Sequence, residues 1–353
     1  MGAESIEASF LSIFALISFF IFLIISKFSV KIKNGVLLDR DFNKPQAFHI
    51  EPLTRSGGIA AILSLSIFFG IYYLLYSKIL YEYIIISFAM FLIGFLDDLK
   101  INIRPIKRLF AMLFFLFTVI YLAPIKIQNI DLPFLVFFTS NHLLSSMFVL
   151  LCFLFVINGA NLIDGLNGLL TINVLIINTV LTYINLSNSN LEFSFIIISQ
   201  IIILLCFLLF NFPKAKIFLG DSGAYLFGSL LALNVIITNN LNPNVSSFFF
   251  CTLLFYIFFE VFFSFFRKLS QKKSPVYPDD KHLHMLCYLK ISSIYGKDKG
   301  NFISAIIINM IYFALVIPGL YFIDQPILSR YWFFILLIIY LWIYLRLYYL
   351  TKN

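Results

Sequence analysis

The sequence predicts an all-α integral membrane protein: a polytopic bundle of about ten or eleven transmembrane helices, forming one domain over residues 1–353. Three observations carry that prediction. First, 61% of the 353 residues are hydrophobic and only 12% are charged, about half the charged share of a soluble domain. With a mean hydropathy of +0.98, much of the surface must face lipid. Second, the apolar residues come in runs long enough for a helix to cross the hydrocarbon, about 20 residues. They show none of the ten-residue alternation of a membrane β-barrel. Third, the basic residues fall almost entirely on one side of the spans that these runs define.

In chain order the runs lie near 9–26, 57–76, 79–96, 107–123, 143–157, 168–186, 193–211, 223–238, 247–266, 303–322 and 331–349. The first is too long for a signal-peptide core, follows Glu4 and Glu7 rather than lysines, and precedes no A-x-A cleavage site. It is therefore expected to be a retained span with its N-terminus outside. The fifth is short, and the connection before it is the least regular. With an odd number of spans, 22 of the 25 Lys and Arg residues lie on one side; the other holds Lys78, Lys126 and Arg330. That side is cytoplasmic by the positive-inside rule. The same asymmetry accounts for the net charge of +8 without nucleic acid as a partner. Cys152, Cys206, Cys251 and Cys287 show no CxxC spacing, so neither a disulfide framework nor a zinc site is indicated.

The carboxylates are sorted in the same way. Asp97, Asp98, Asp164, Asp221, Asp279 and Asp280 all sit in or beside loops on the basic side, where bundle packing can converge them. "FLIGFLDDLK" (91–100) runs an apolar segment into Asp97 and Asp98, then Lys100. Adjacent acids at a membrane surface read either as a solvated helix end or as ligands for a divalent cation, usually Mg2+ with substrate phosphates. Arg104, Lys107 and Arg108 follow, as headgroup contacts or simple anchors. In "NGANLIDGLNGL" (158–169), Asn158, Asn161, Asp164 and Asn167 recur every three residues and would share one face of a helical turn, for interhelical hydrogen bonding or for a ligand. "FLGDSG" (218–223) places Asp221 at a helix start, as an N-cap or beside a phosphate on free N–H groups. Phe218 before it is an interface aromatic or a platform for a nucleobase. "PDDKHLHM" (278–285) contributes His282 and His284, which lack an evident third ligand for zinc and could instead hydrogen-bond phosphate. "HIEPLTRSGG" (49–58) adds His49, Arg55 and a glycine pair; Arg55 is a phosphate partner or an anchor. Glu260, inside the ninth run, is a candidate functional acid or a partner for Arg267 two turns on.

Taken together, these five stretches resemble the polyprenyl-phosphate N-acetylhexosamine-1-phosphate transferases of the WecA/MraY type, in order from His49 to His284. The resemblance implies transfer of sugar-1-phosphate from a UDP-N-acetylhexosamine to a polyprenyl phosphate, with release of UMP. By resemblance, Asp97 and Asp98 are the catalytic acid pair and Asp221 is catalytic and the Mg2+ ligand, Mn2+ being the alternative ion. Asn161, Asp164 and Phe218 line the nucleotide site, and His282 and His284 form its histidine motif. His49, Arg55, Lys100, Asn158 and Asn167 complete the expected substrate contacts. Many relatives carry Asp at the position of Asn167, which implies a changed nucleotide contact there. The histidine motif lacks the longer histidine run of the lipid I-forming branch, and this favours the sugar-transferring branch. The implied setting is a bacterial cytoplasmic membrane, with the site on its inner face and the product starting a lipid-linked glycan such as O-antigen or capsule. A homodimer is left open. The competing class is a secondary transporter, but transporters gather their acids near the midplane in paired half-repeats, and no such repeat is visible here.

Overall fold

The computed structural model describes residues 3–40, 52–101, 103–123, 125–274 and 279–352. Its helices are α1 (Ala3–Phe28), α2 (Gly57–Tyr76), α3 (Tyr81–Asp98), α4 (Pro105–Leu122), α5 (Pro133–Ser140), α6 (His142–Ile163), α7 (Leu169–Ser187), α8 (Leu191–Asn211), α9 (Gly220–Leu241), α10 (Ser247–Leu253), α11 (Phe255–Ser270), α12 (Leu283–Tyr295), α13 (Lys297–Tyr321) and α14 (Pro326–Lys352). Among the described residues nine helices are long and apolar enough to cross a membrane, and ten spans result if α10 and α11 are joined. The eighteen-residue α3, expected as the third span, is not counted among these nine, because it carries Glu82, Asp97 and Asp98. The protein is a multi-pass all-α membrane protein.

The ninth run, expected as one span over 247–266, is broken: α10 and α11 meet at 75°. A break inside a bundle frees a backbone carbonyl that lipid cannot satisfy. Here the Tyr312 hydroxyl donates to the Leu253 carbonyl at the end of α10. Two short helices, α5 and α12, occupy stretches expected as loops.

At the centre stands α9, from which most side chains are buried; α3 and α6 pack along it most extensively. Polar side chains fix this contact. Tyr83 of α3 donates to Asn234 Oδ1 at 2.8 Å, and Asn234 Nδ2 donates to Gln200 Oε1 of α8 at 2.8 Å. In an apolar surround such bonds define register, which uniform hydrophobicity cannot. Close approach does the rest: a Cβ on Gly94 of α3 would run into the Asp221 backbone carbonyl.

One departure from an all-helical chain positions the site. β1 (Leu38–Asp39), β2 (Leu53–Arg55) and β3 (Ile217–Phe218) form a small sheet in that order. β1–β2 is antiparallel and β2–β3 parallel, with Arg55 opposite Phe218. Strands this short carry no periodicity from which to predict them.

Candidate active site

The small sheet delivers two motifs to one place. Downstream of Arg55, the Gly58 N–H donates to the Leu219 carbonyl at 2.8 Å. A side chain on Gly58 would collide with Ser222 and Gly223. The glycine pair therefore lets the start of α2 lie against the start of α9, and "RSGG" and "FLGDSG" become neighbours.

The acid pair closes the arrangement from α3, and its two members differ. The Asp98 side chain is fully buried, whereas Asp97 and Asp221 keep 28% and 19% of theirs exposed. Asp98 Oδ1 accepts the Asp221 N–H and Oδ2 the Ser222 N–H, each at 3.0 Å. It thus caps α9 from another helix, where a carboxylate also meets the positive end of the helix dipole. This corrects two expectations. Asp221 is not the N-cap: Leu219 holds that position and makes no side-chain cap bond. The N–H groups of Asp221 and Ser222, expected to be open to phosphate, are taken by Asp98. Gly220 permits the fit, since at φ +79° it needs the left-handed backbone and a Cβ there would stand 2.6 Å from Asp98 Oδ2.

Two arginines thread the carboxylates. Arg108 Nη1 lies 2.6 Å from Asp97 Oδ2 and 3.0 Å from Asp221 Oδ2, joining α4 to α3 and α9. Arg55 donates from Nε and Nη2 to Asp39 Oδ2 at 3.0 and 2.7 Å. Its Nη1 stands 3.7 Å from Asp98 Oδ1 and 3.9 Å from Asp221 Oδ1. Burial works to lower the Arg55 pKa, but Asp221, Asp39 and Asp98 outweigh it and hold the guanidinium above its ordinary value. Asp164 lies within electrostatic reach; burial pushes its carboxyl well above the usual carboxylate range, Asp221 and Asp98 adding to the shift and Arg55 opposing it.

The remaining predicted residues divide. Asn158, Asn161, Asp164 and Asn167 do not share one helical turn, because α6 ends at Ile163 and Gly168 turns the chain at φ +76°. Asn158 Nδ2 donates to the Leu154 carbonyl at 2.7 Å, the ordinary in-helix bond. Asn161 is half-buried near the end of α6. The Asn167 backbone N–H donates to Asn301 Oδ1 of α13 at 2.8 Å, and its Nδ2 donates to the Pro213 carbonyl at 3.0 Å. Lys100 is exposed just past α3, and Phe218 is half-buried opposite Arg55. His49 lies outside the described residues.

His282 and His284 belong to a second polar cluster. His282 Nδ1 is 3.1 Å from Glu260 Oε1 and Nε2 is 3.2 Å from Asp279 Oδ1. Glu260 also accepts the Leu283 N–H at 3.1 Å and the Tyr340 hydroxyl of α14. Its side-chain partners are thus His282 and Tyr340; Arg267 instead clasps Asp279, at 2.7 and 3.2 Å. Those contacts hold the Asp279 carboxyl below its usual range, against its burial. His284 stacks on His282 with ring centroids 5.7 Å apart, and neither of its ring nitrogens has a hydrogen-bond partner among the described residues. Burial, then the neighbouring His282, pushes its pKa down to about 3, so the ring is neutral at pH 7.

Sequence reasoning missed Asp39, which no motif marks and which only strand pairing brings to Arg55. It weighed Arg108 only as a headgroup contact or anchor. Among the described residues no group of three or more His, Cys, Asp or Glu side chains is placed to hold a metal ion alone. Asp97 and Asp221, sharing one guanidinium nitrogen, do make a two-carboxylate donor set. That is the kind Mg2+ uses when substrate phosphates complete its shell.

Fold and site thus define a multi-pass membrane protein whose interhelical loops assemble a carboxylate–guanidinium centre at one end of the bundle. Residues 80–239 match the sequence model of glycosyl transferase family 4. The chain is 28% identical over 279 residues to an undecaprenyl-phosphate alpha-N-acetylglucosaminyl 1-phosphate transferase of Thermotoga maritima, covering 78% of this chain and 80% of that one. It is 30% identical over 234 residues to a phospho-N-acetylmuramoyl-pentapeptide-transferase of Dictyoglomus thermophilum, covering 61% and 70%. Similarity of 30% over 221 residues, covering 61% and 67%, extends to a putative UDP-N-acetylglucosamine–dolichyl-phosphate N-acetylglucosaminephosphotransferase of Saccharolobus solfataricus. The chain belongs to glycosyl transferase family 4.

Proposed function

We propose that the protein transfers N-acetylhexosamine-1-phosphate, GlcNAc-1-phosphate first among the candidates, from a UDP-sugar to a polyprenyl phosphate. An oxygen of the lipid phosphate attacks the sugar-bearing phosphorus, the bond to the bridging oxygen breaks, and UMP leaves. The observation that carries this reading is the convergence of Arg55, Asp97, Asp98, Arg108 and Asp221, from four separate elements, within ion-pair distance of one another. Phosphoryl transfer depends on charge neutralisation and in-line positioning more than on covalent help, and this centre offers both signs of charge.

Asp97 and Asp221 would hold Mg2+, which supplies neutralisation of the diphosphate and a better UMP leaving group. Asp98, sealed under α9, fixes the backbone that carries Asp221. Arg55, steered by Asp39, presents a permanent cation to the phosphates. Phe218 sits on the strand beside Arg55, where a nucleobase could stack on its ring. In this reading the whole chain works as one domain, with the basic loops and the site on the cytoplasmic face of a bacterial membrane. The product would start a lipid-linked surface glycan.

GlcNAc is favoured because the Thermotoga relative is matched over 78% of this chain. The competing donor is UDP-MurNAc-pentapeptide, the one suggested by the pentapeptide-transferase relatives. The test is UMP release by purified protein in detergent with undecaprenyl phosphate, Mg2+ and a panel of UDP-sugars that includes both. Release requiring lipid and metal together is expected, and the preferred donor names the sugar. No release with any donor, from folded protein that also fails to bind UMP, would overturn the reading and bring the transporter class forward.

A further inference from the structure

The Arg108 contacts are unusual for a membrane-interface anchor. A single nitrogen, Nη1, sits 2.6 Å from Asp97 Oδ2 and 3.0 Å from Asp221 Oδ2, and only 17% of the side chain is exposed. A lysine or arginine that merely snorkels to the interface keeps its charged end in water. This one is drawn inward, between two acids on different helices. Asp97 lies in the last turn of α3 and Asp221 in the first turn of α9, so the two carboxylates repel each other unless a cation lies between them. The guanidinium fills that place.

We propose that Arg108 is a built-in counter-cation that keeps the Asp97–Asp221 pair assembled and bars it to divalent metal until a diphosphate arrives. The inference rests on the functional reading above. Arg108 balances the pair and ties the end of α3 to the start of α9. When a nucleoside diphosphate enters, Arg108 gains phosphate oxygens as alternative partners, which planar guanidinium groups match well. It then yields its place between the acids to the cation that accompanies the ligand. Metal and nucleotide are thereby coupled: each relieves a cost that the other would meet alone. Arg108 acts through Asp97 and Asp221, as a positioning residue. Arg55 does not substitute for it, since its own head is already committed to Asp39 at 2.7 Å and stands 3.9 Å from Asp221.

The test reads metal binding without turnover. Mn2+ affinity is measured by electron paramagnetic resonance on purified protein in detergent, without nucleotide, for wild type, Arg108→Gln and Arg108→Lys. Removal of a neighbouring positive charge should tighten Mn2+ binding roughly tenfold or more in Arg108→Gln. Arg108→Lys, shorter and without the fork, should fall between the two. A residue with a purely structural role would loosen the site or leave it unchanged when replaced, so affinity equal to or weaker than wild type in Arg108→Gln overturns the proposal. If that variant does not fold, Arg108→Lys decides: tighter binding than wild type supports the proposal, and equal or weaker binding overturns it. UMP release is assayed separately. Its absence from every donor reaction would sink the transferase reading, while tightened Mn2+ binding would still establish Arg108 as the counter-cation.

Discussion

The two adjacent acids that end α3 should fail in different ways when mutated. Asp98 accepts two backbone N–H groups from the first turn of α9, each at 3.0 Å, from a side chain with no exposure. Hydrogen bonds to a charged acceptor contribute about 1.5–3 kcal/mol each, and leaving buried donors unmatched costs a similar amount. Asp98→Ala should therefore destabilise the protein by about 3–6 kcal/mol before relaxation, a large share of ordinary folding stability. Asp97 makes one ion pair and is partly exposed, so Asp97→Asn should change stability by about 1 kcal/mol or less yet abolish UMP release. The assay pairs thermal unfolding in detergent with turnover on the same preparations. If Asp98→Ala unfolds at the wild-type temperature, or if Asp97→Asn is the more destabilised of the two, the division of labour argued from the geometry is wrong.

Other consequences are as direct. Asp221→Asn should keep the fold and lose turnover, and activity retained at wild-type level would remove Asp221 from the site. Tyr340→Phe strips a hydroxyl donor from Glu260 and should cost about 1.5–3 kcal/mol, read as a lowered unfolding temperature; an unchanged one would show that α14 does not brace the histidine cluster. Asp279 is held below its usual pKa, so its contribution to stability is complete above the unfolded value of about 3.9 and is lost as pH falls through the folded value. Asp279→Asn should accordingly flatten the acid limb of a stability profile between about pH 5 and pH 2, and an unaltered limb would contradict the shift.

The membrane fold was legible because it depends on composition and run length, which a single sequence contains in full. The break at Leu254 was not, since Ser247–Ser270 is apolar on both sides of it and the compensating hydroxyl comes from Tyr312, far along the chain. Asp97, Asp98 and Asp221 could be picked out because charge in an apolar sequence stands out. Their separate roles could not, because adjacency in sequence says nothing of which carboxylate a neighbouring helix end will cover. Asp39 left no trace at all: its pairing with Arg55 depends on the register of strands two and three residues long. Asn158 shows the opposite error, since a regular spacing of polar residues read as one face straddles a helix end in the fold.

Why an apolar helix should end on two acids has a physical answer in these contacts. One acid seals the end of α9, and in doing so sets the first residues of that helix against α3 with Asp221 facing outward. The other then stands beside Asp221, an arrangement two like charges would not adopt unaided. Formally, Asp39, Asp97, Asp98 and Asp221 carry four negative charges against the two positive charges of Arg55 and Arg108. The excess of two lies at the mouth of the bundle, where water and headgroups reach it, and not at the midplane, where it would be far more costly. A centre with that balance is closed but undercharged. It can stay folded with its arginines in place, and under the proposed function it would gain most from a ligand that brings a divalent cation together with phosphates to occupy those arginines. The acid pair is therefore one unit with two tasks: Asp98 builds the helix start that presents Asp221, and Asp97 completes the charge that a metal–diphosphate would meet there.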